Sequence, residues 1–262
     1  MKPPILRTKL TNAASIFRPA ALLREARRQK GLPDVPVPPV CILDPDGDIV
    51  RRLRADGRAK RFDAWPCYHT QLDVFTLAGR TVGIIGCAVG SSFAVLIAEE
   101  LCASGCQLLI SLTSSGQITS SGPTPYFVII DRALRDEGTS YHYAPPADYA
   151  EADAGLIAKA RRALADTGQR VFTGATWTTD APFRETAEAI EAAAAEGILA
   201  VEMEAAALYA FARANGQSVL CLAHVTNMMG QAGDDFEKGE ADGTADALVV
   251  LESLVPLADS LS

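Results

Sequence analysis

Short apolar runs alternate with longer amphipathic segments along most of the chain, and this pattern predicts strands separated by helices. The predicted strands lie at 40–43, 81–87, 107–113, 126–130, 170–177, 198–201 and 219–226. Helices are predicted at 20–29, 49–53, 93–104, 149–164 and 245–254. Two more are predicted, one that ends at about residue 196 and one that begins at about residue 203. A Gly- and Asp-rich loop is predicted at 230–243. This alternation predicts a single three-layer α/β/α domain with a mixed, mostly parallel central sheet.

The first residues do not follow this pattern. Residues 1–38 are rich in arginine and broken by prolines, and we expect them to form an N-terminal arm on the surface or across a subunit boundary. The folded domain is predicted to occupy residues 39–262, with neither an internal repeat nor a linker.

Two carboxylates interrupt an apolar stretch late in the chain. Glu202 and Glu204 flank Met203, between the predicted strand at 198–201 and an alanine-rich segment that predicts a helix. The ordinary explanation is a charge favoured by the dipole at a helix N-terminus. Both flanks are predicted to be buried, however, and buried carboxylates need partners. The pattern therefore also fits a site that binds the hydroxyl groups of a sugar.

Two strand ends carry the small and hydroxyl residues that an anion site uses. The strand at 81–87 leads through Gly86 and Gly90 into a helix, and such a loop presents backbone N–H groups to an anion. Tight strand-to-helix turns need small residues in any case, and the glycine spacing fits neither a dinucleotide fingerprint nor a P-loop. The strand at 107–113 is predicted to end in the turn Ser114-Ser115-Gly116, which fits either a polar pocket floor or an ordinary serine-rich turn.

Composition narrows the class of function. Of 262 residues, 48% are hydrophobic and 21% charged, a balance typical of globular proteins. The net charge of −8 disfavours nucleic acid as a partner, because binding to a phosphate backbone needs clustered cations. The six cysteines lack CxxC spacing, which argues against disulfides and zinc sites. No apolar stretch approaches the ~20 residues of a membrane span and no signal core follows Met1, so we expect a cytoplasmic protein.

The segment Val201-Glu202-Met203-Glu204-Ala205-Ala206-Ala207 resembles a motif of the nucleoside phosphorylase superfamily, in particular of its uridine phosphorylase-like branch. Weaker similarities follow in the same order as in that family, at 86–92, 113–116, 138–143, 178–180 and 225–227. The resemblance covers roughly residues 40–254. It implies that the domain at 39–262 is catalytic. The implied reaction cleaves the N-glycosidic bond of a nucleoside, with phosphate attacking the anomeric carbon and the base leaving from an oxocarbenium-like transition state.

The resemblance implies a role for each candidate residue. Glu204 is expected to accept hydrogen bonds from the ribose 2′- and 3′-hydroxyls, and Met203 is expected to pack against the sugar. Glu202 is the third residue assigned to the catalytic group. Negative potential beside a sugar that becomes cationic strengthens this interaction in the transition state. The further assignments are ribose binding by His69, phosphate binding by Gly86, Gly90, Ser114, Ser115 and Arg51, and base binding by Gly116, Thr179, Asp180, Phe183, Arg184 and Asn227.

The chain departs from the family pattern at the phosphate site. The phosphorylases have three arginines at this site. At the first position this chain has the acidic turn at 44–48, with Arg51 and Arg52 slightly late. Tyr68 and His69 lie near the second position, and Ser111 takes the third. Losing these charge-assisted partners for a dianion weakens its binding. Nucleosidases of the same superfamily lack these arginines and use water, so hydrolysis stays open as an alternative. A non-catalytic nucleoside-binding relative stays open as well.

The base-site residues favour a pyrimidine, uridine-like substrate, and an unusual base stays open as an alternative. Purine-cleaving relatives carry an Asp after the last strand as an acid, whereas this chain has Asn227, whose amide can bind a base but cannot act as a general acid. Asp180 fits a base contact and a helix cap equally well. His69 fits a contact with the ribose 5′-hydroxyl across a subunit interface, and it also fits a surface position.

The resemblance also implies the partners of the protein. We expect a nucleoside with phosphate as the co-substrate, no metal or organic cofactor, no nucleic acid and no membrane. We expect a homohexamer or homodimer with sites shared between subunits.

Overall fold

The computed structural model describes residues 3–7, 10–228, 238 and 240–261, so most of the predicted loop at 230–243 lies outside the described residues. The helices are α1 (Pro19–Lys30), α2 (Asp48–Ala55), α3 (Ser91–Ala103), α4 (Ala154–Leu164), α5 (Ala187–Ala195), α6 (Ala205–Asn215) and α7 (Thr244–Leu254). The strands are β1 (Val40–Asp44), β2 (Lys60–Arg61), β3 (Asp73–Leu77), β4 (Arg80–Gly86), β5 (Leu108–Gln117), β6 (Tyr126–Asp136), β7 (Tyr149–Glu151), β8 (Val171–Thr179), β9 (Ala200–Glu202) and β10 (Ser218–Asn227).

The strands form one mixed sheet in the described part of the chain. Strands β4, β1, β5 and β10 lie side by side and parallel. Strand β10 then pairs antiparallel with β6, which pairs parallel with β8, and β9 joins β8 back to β5. Since β5 pairs with both β10 and β9, the strands β5, β10, β6, β8 and β9 close into a ring at one end of the sheet.

Helices cover both faces of the sheet. Alternate residues of the central strands point to opposite faces, so that Cys41 and Leu43 of β1 belong to one core cluster and Val40 and Ile42 to the other. Helices α3 and α6 pack on the first face and α1 packs on α3, whereas α2, α4 and α7 cover the second face. The predicted three-layer α/β fold is confirmed. No helix among the described residues has the length and apolar character needed to cross a membrane.

Three predicted element boundaries were wrong, and the first is the strand at 126–130, which continues to Asp136 as β6. Ser114–Gly116 is not a turn but part of β5, because β10 and β9 both pair with this stretch and continue the strand to Gln117. The predicted helix at 149–164 begins as strand β7, which pairs with β6. Helix α4 starts only after Asp153, whose side chain accepts a hydrogen bond from the Leu156 N–H at 2.7 Å as an N-cap.

A buried aspartate and a glycine shape the carboxyl edge of the sheet. Asp44 ends β1 and accepts hydrogen bonds from the N–H groups of Gly47 and Val50 at 3.2 and 2.9 Å, which fixes the turn into α2. Burial raises the pKa of Asp44 to about 7. Gly86 ends β4 directly against this turn, and a Cβ atom there would lie 2.5 Å from Val50 Cγ1 and 3.2 Å from Gly47 Cα. The edge that carries the candidate site therefore depends on a close approach at Gly86.

We expect Gly86→Ala to lower the free energy of unfolding by about 1–3 kcal/mol, because the added methyl group overlaps a packed side chain. The variant can be compared with wild type by urea denaturation. Combining Gly86→Ala with Val50→Ala removes the overlapping atom, so the double variant should lose less stability than the sum of the single variants. If the stability losses of the two single variants simply added in the double variant, a methyl group at position 86 would not overlap the Val50 side chain.

Candidate active site

Glu202 is buried and its carboxylate is fully hydrogen-bonded within the protein. Oε2 accepts from the N–H groups of Glu204 and Ala205, each at 2.7 Å, and Oε1 accepts from the hydroxyls of Thr176 and Thr178. These bonds join the start of α6 to β8. Burial raises the pKa of Glu202, and the donated hydrogen bonds act in the opposite direction. The geometry of Glu202 therefore fits a residue that positions its neighbours better than one that touches a substrate.

Glu204 is also buried, but only one of its carboxylate oxygens has a partner. Oε1 accepts a hydrogen bond from the Gly90 N–H at 2.7 Å, whereas Oε2 has no hydrogen-bond partner among the described residues. Burial, and next the charge of Glu202, raise the pKa of Glu204 to about 8. An unpaired acceptor in a buried position can bind a hydroxyl donor with little competition from water.

The start of α3 is tied to the start of α6. Ser91 donates a hydrogen bond from Oγ to the backbone oxygen of Met203 at 2.8 Å, next to the bond between Gly90 and Glu204. Met203 itself is half-buried at this junction. The structure therefore brings together Gly90 of the predicted phosphate loop and the predicted sugar-binding residues Met203 and Glu204.

A carboxylate of the chain itself occupies the donors of Ser114. Asp46 accepts from the Ser114 N–H at 2.8 Å and from the Ser114 hydroxyl at 2.9 Å. Lys238 lies 3.9 Å from Asp46 and forms a closer ion pair with Asp48. Arg51, which is mostly exposed, donates to the Asp46 backbone oxygen and pairs with Asp48. In this structure, Ser114 and Arg51 are thus engaged by acidic residues of the turn at 44–48.

Ser115 and Gly86 complete the predicted phosphate group. The Ser115 hydroxyl is buried and has no hydrogen-bond partner among the described residues. Gly86 contacts the turn after β1, as described above. A cavity of about 20 Å³, room for roughly one water molecule, lies beside Asp46, Ser114 and the buried His224.

Only part of the predicted base site is assembled. Gly116 pairs with Val201 and with Asn227 in the ring of strands, next to Glu202. Thr179 ends β8, and its hydroxyl accepts a hydrogen bond from the Ala181 N–H at 3.1 Å. Asp180 accepts from the Gly138 N–H at 2.9 Å and so ties the end of β8 to the loop at 138–143.

The other predicted base-site residues project into solvent. Phe183 is 99% exposed and Arg184 is exposed, both on the short 3₁₀ turn Pro182–Arg184 after β8. A base contact by either side chain would therefore require this turn to move or to be covered by another subunit.

His69 is exposed and lies near Glu100 rather than near Glu204 within one chain. Glu100 is nine residues beyond Ser91 on α3, which corresponds to a separation of about 13 Å along the helix axis. A ribose contact by His69 would therefore have to be made in the site of another subunit.

Sequence reasoning missed the partners that hold the carboxylates. Thr176 and Thr178 alternate along β8, so the period of two places both on one face, and this was the available signal. The contact between Asp46 and Ser114 depends on a turn packing over a strand 68 residues away, which no local pattern reveals. Among the described residues, no group of three or more His, Cys, Asp or Glu side chains is arranged to hold a metal ion.

Comparison with known proteins places this geometry in a family. A model of the phosphorylase superfamily matches residues 39–255, which is most of the chain. The chain belongs to the phosphorylase superfamily. The predicted membership of the nucleoside phosphorylase superfamily is thereby confirmed.

The proteins similar to this phosphorylase superfamily member include purine nucleoside phosphorylases in sequence and both purine and uridine phosphorylases in fold. A DeoD-type purine nucleoside phosphorylase of Bacillus cereus is 29% identical over 154 residues, which is 58% of this chain and 66% of the relative. The solved uridine phosphorylase of Vibrio fischeri has a TM-score of 0.73 and 20% identity, over 85% of this chain and 92% of that one. The purine nucleoside phosphorylase of Toxoplasma gondii has a TM-score of 0.72 and 15% identity, over 87% and 93%. At these identities the structural likeness establishes the fold.

The raised pKa of Glu204 predicts a pH-dependent stability. A carboxyl whose pKa is higher in the folded state binds a proton on folding, so stability falls as the pH rises from about 4.5 towards 8. Glu204→Gln removes this titration and keeps an acceptor for Gly90. We expect its free energy of unfolding to exceed that of wild type by about 2–5 kcal/mol at pH 8 and to converge near pH 4–5.

Urea denaturation across this pH range measures the difference, with Glu191→Gln, an exposed position on α5, as the matched control. A stability difference that is the same at every pH would contradict a buried, proton-binding Glu204.

Proposed function

We propose that this protein cleaves the N-glycosidic bond of a nucleoside with phosphate, releasing the free base and a pentose 1-phosphate. The observation that most directly supports this proposal is the buried carboxylate of Glu204. One of its oxygens is fixed by Gly90, and the other has no partner among the described residues. Membership of the phosphorylase superfamily supports the same reaction, since the named relatives are nucleoside phosphorylases. The catalytic unit is proposed to be residues 39–262.

The site chemistry follows from the position of Glu204. Ribose hydroxyls donating to Oε2 would supply the hydrogen bonds that burial has removed, and this favours the ionised carboxylate. The resulting negative charge lies near a sugar that becomes cationic as the bond to the base breaks, so the attraction grows in the transition state. Met203 offers a polarizable apolar surface to the sugar, and Glu202 and Ser91 hold both residues in place.

We further propose a pyrimidine nucleoside as substrate and a homo-oligomer as the working form. Asn227, at the carboxyl end of β10, supports the pyrimidine because its amide can bind a base but cannot serve as a general acid. The exposed His69, far from Glu204 of its own chain, supports a site completed by another subunit. The expectations of no metal, no organic cofactor and a cytoplasmic location stay predictions.

The test is release of free base from a panel of pyrimidine and purine nucleosides, with and without phosphate. We expect phosphate-dependent release from a pyrimidine nucleoside. Glu204→Gln should lower kcat/KM by about 100-fold or more, because the charge that stabilises the transition state is lost. Glu191→Gln is the control and should retain wild-type activity. Nucleoside binding without any base release would support a non-catalytic relative instead.

Hydrolysis is a second candidate function, and one observation favours it. The carboxylate of Asp46 lies on the donors of Ser114, where a phosphate dianion was predicted to bind. Two anions repel each other at this distance, so phosphate would have to displace Asp46. Asp46 could instead take a proton from a water molecule as the water oxygen bonds to the anomeric carbon and the base leaves with the bonding electrons.

Asp46→Asn distinguishes the two nucleophiles. If water attacks, phosphate-independent base release should fall by about 100-fold or more in this variant, since the proton acceptor is lost. If phosphate attacks, the KM for phosphate should stay constant or decrease, because a repelling charge is removed. Asp56→Asn, which changes the same charge at the end of α2, is the matched control and should change neither value. Initial rates over a phosphate series measure both outcomes.

A further inference from the structure

A pocket of about 450 Å³ lies between three parts of the chain, and we call it the α6 pocket. Residues 209–214 of α6 form one wall and residues 143–151 form the second, while Thr11 and Asn12 of the N-terminal arm border the third side. No described residue of the candidate active site lines this pocket. Its volume lies in the range of about 300–1,000 Å³ that is typical of small-molecule sites.

Flat apolar side chains line much of the α6 pocket, namely Tyr143, Tyr149, Tyr209, Pro145 and Pro146. Each tyrosine hydroxyl donates a hydrogen bond within the protein, two of them to glutamates and one to a backbone oxygen. The rings, rather than the hydroxyls, are therefore left to contact a ligand. Such walls suit an aromatic ring, which packs well against other flat apolar groups.

Arg135 also lines the pocket, and it is buried among uncharged partners. Its guanidinium donates to the Ser140 hydroxyl at 2.8 Å and to the backbone oxygens of Pro145 and Ala144 at 2.7 and 3.3 Å. A guanidinium has more N–H groups than these bonds use. Burial lowers the pKa of Arg135, and the nearby Glu137 acts in the opposite direction while its carboxylate accepts from backbone N–H groups.

Arg213 brings a second positive charge to the pocket. It is exposed in the last turn of α6, and its side chain forms neither an ion pair nor a hydrogen bond with a described residue. Glu151 is the one acidic residue among the described residues that line the pocket, so the two arginines outnumber it. Since a buried cation is unfavourable without a paired anion, an anionic group in the pocket would stabilise Arg135 as well as bind Arg213.

We propose that the α6 pocket is a second small-molecule site, which binds an aromatic ring carrying a carboxylate or a phosphate group. The ring packs against the tyrosines and prolines, and the anionic group faces Arg135 and Arg213. A neutral aromatic molecule would leave both guanidinium groups without an anion, and a small inorganic anion would leave the apolar walls uncovered. The inference is independent of the proposed reaction.

Isothermal titration calorimetry of the full chain with benzoate and with phenyl phosphate tests this site and shows which anionic group it prefers. We expect Arg213→Gln to weaken binding of the preferred probe by about tenfold or more, because a charge-assisted contact is lost. The variant should keep the wild-type melting temperature, since the Arg213 side chain is exposed. Arg162→Gln, which removes an exposed arginine of α4 outside the pocket, is the control and should leave binding unchanged.

Benzyl alcohol and acetate separate the two parts of the recognition. Benzyl alcohol has the ring without the charge, and acetate has the charge without the ring, so each should bind about tenfold or more weakly than the preferred probe. Equal affinity for either of them would overturn the inference. So would the absence of binding by both aromatic anions, or equal affinity of wild type and Arg213→Gln for the preferred probe, which would place that probe elsewhere on the protein.

Discussion

Glu202 and Glu204 are both buried at the start of α6, and a buried carboxylate needs hydrogen-bond donors. The surrounding structure provides more donors to Glu202 than to Glu204. Burying a carboxylate is unfavourable unless donors replace the water it loses. Glu202 receives two backbone and two threonine donors, whereas Glu204 receives, from the described residues, one backbone donor at Oε1 and none at Oε2. The fully bonded carboxylate fixes the helix, and the partly bonded one keeps capacity for a ligand. The arrangement of β8, β9, α3 and α6 follows from this pairing.

The electrostatics of the carboxyl edge are dominated by acidic groups. Asp44, Asp46 and Glu204 all lie at this edge, and Asp46 contributes to the raised pKa of Glu204. Lys238 lies among the aspartates and partly balances them. Such an edge favours a cation-like sugar in the transition state and opposes a dianion as attacking group. The same residues thus support the cleavage of a nucleoside and leave two nucleophiles in competition.

The layered fold and most elements could be predicted from the sequence, because buried strands such as 40–43 and amphipathic helices such as 49–53 carry local periodic signals. The errors occurred where tertiary pairing overrides local preference. Ser114 and Ser115 have turn-like composition, but pairing with β10 holds them in β5. In the candidate site, Glu204 and Gly90 were predicted from a motif and are found in contact. The bond from Ser114 to Asp46 could not be predicted, since it depends on how the turn after β1 packs over β5.

The ring formed by β5, β10, β6, β8 and β9 has a consequence for how this protein can change. A strand in a closed ring has neighbours on both sides, so a shift of one residue would move the side chains of several strands to the wrong face at once. The strand positions under the candidate site are therefore resistant to drift in evolution. New substrate preferences must arise in the loops that leave the ring, such as the exposed turn at Pro182–Arg184, where substitutions do not disturb strand pairing.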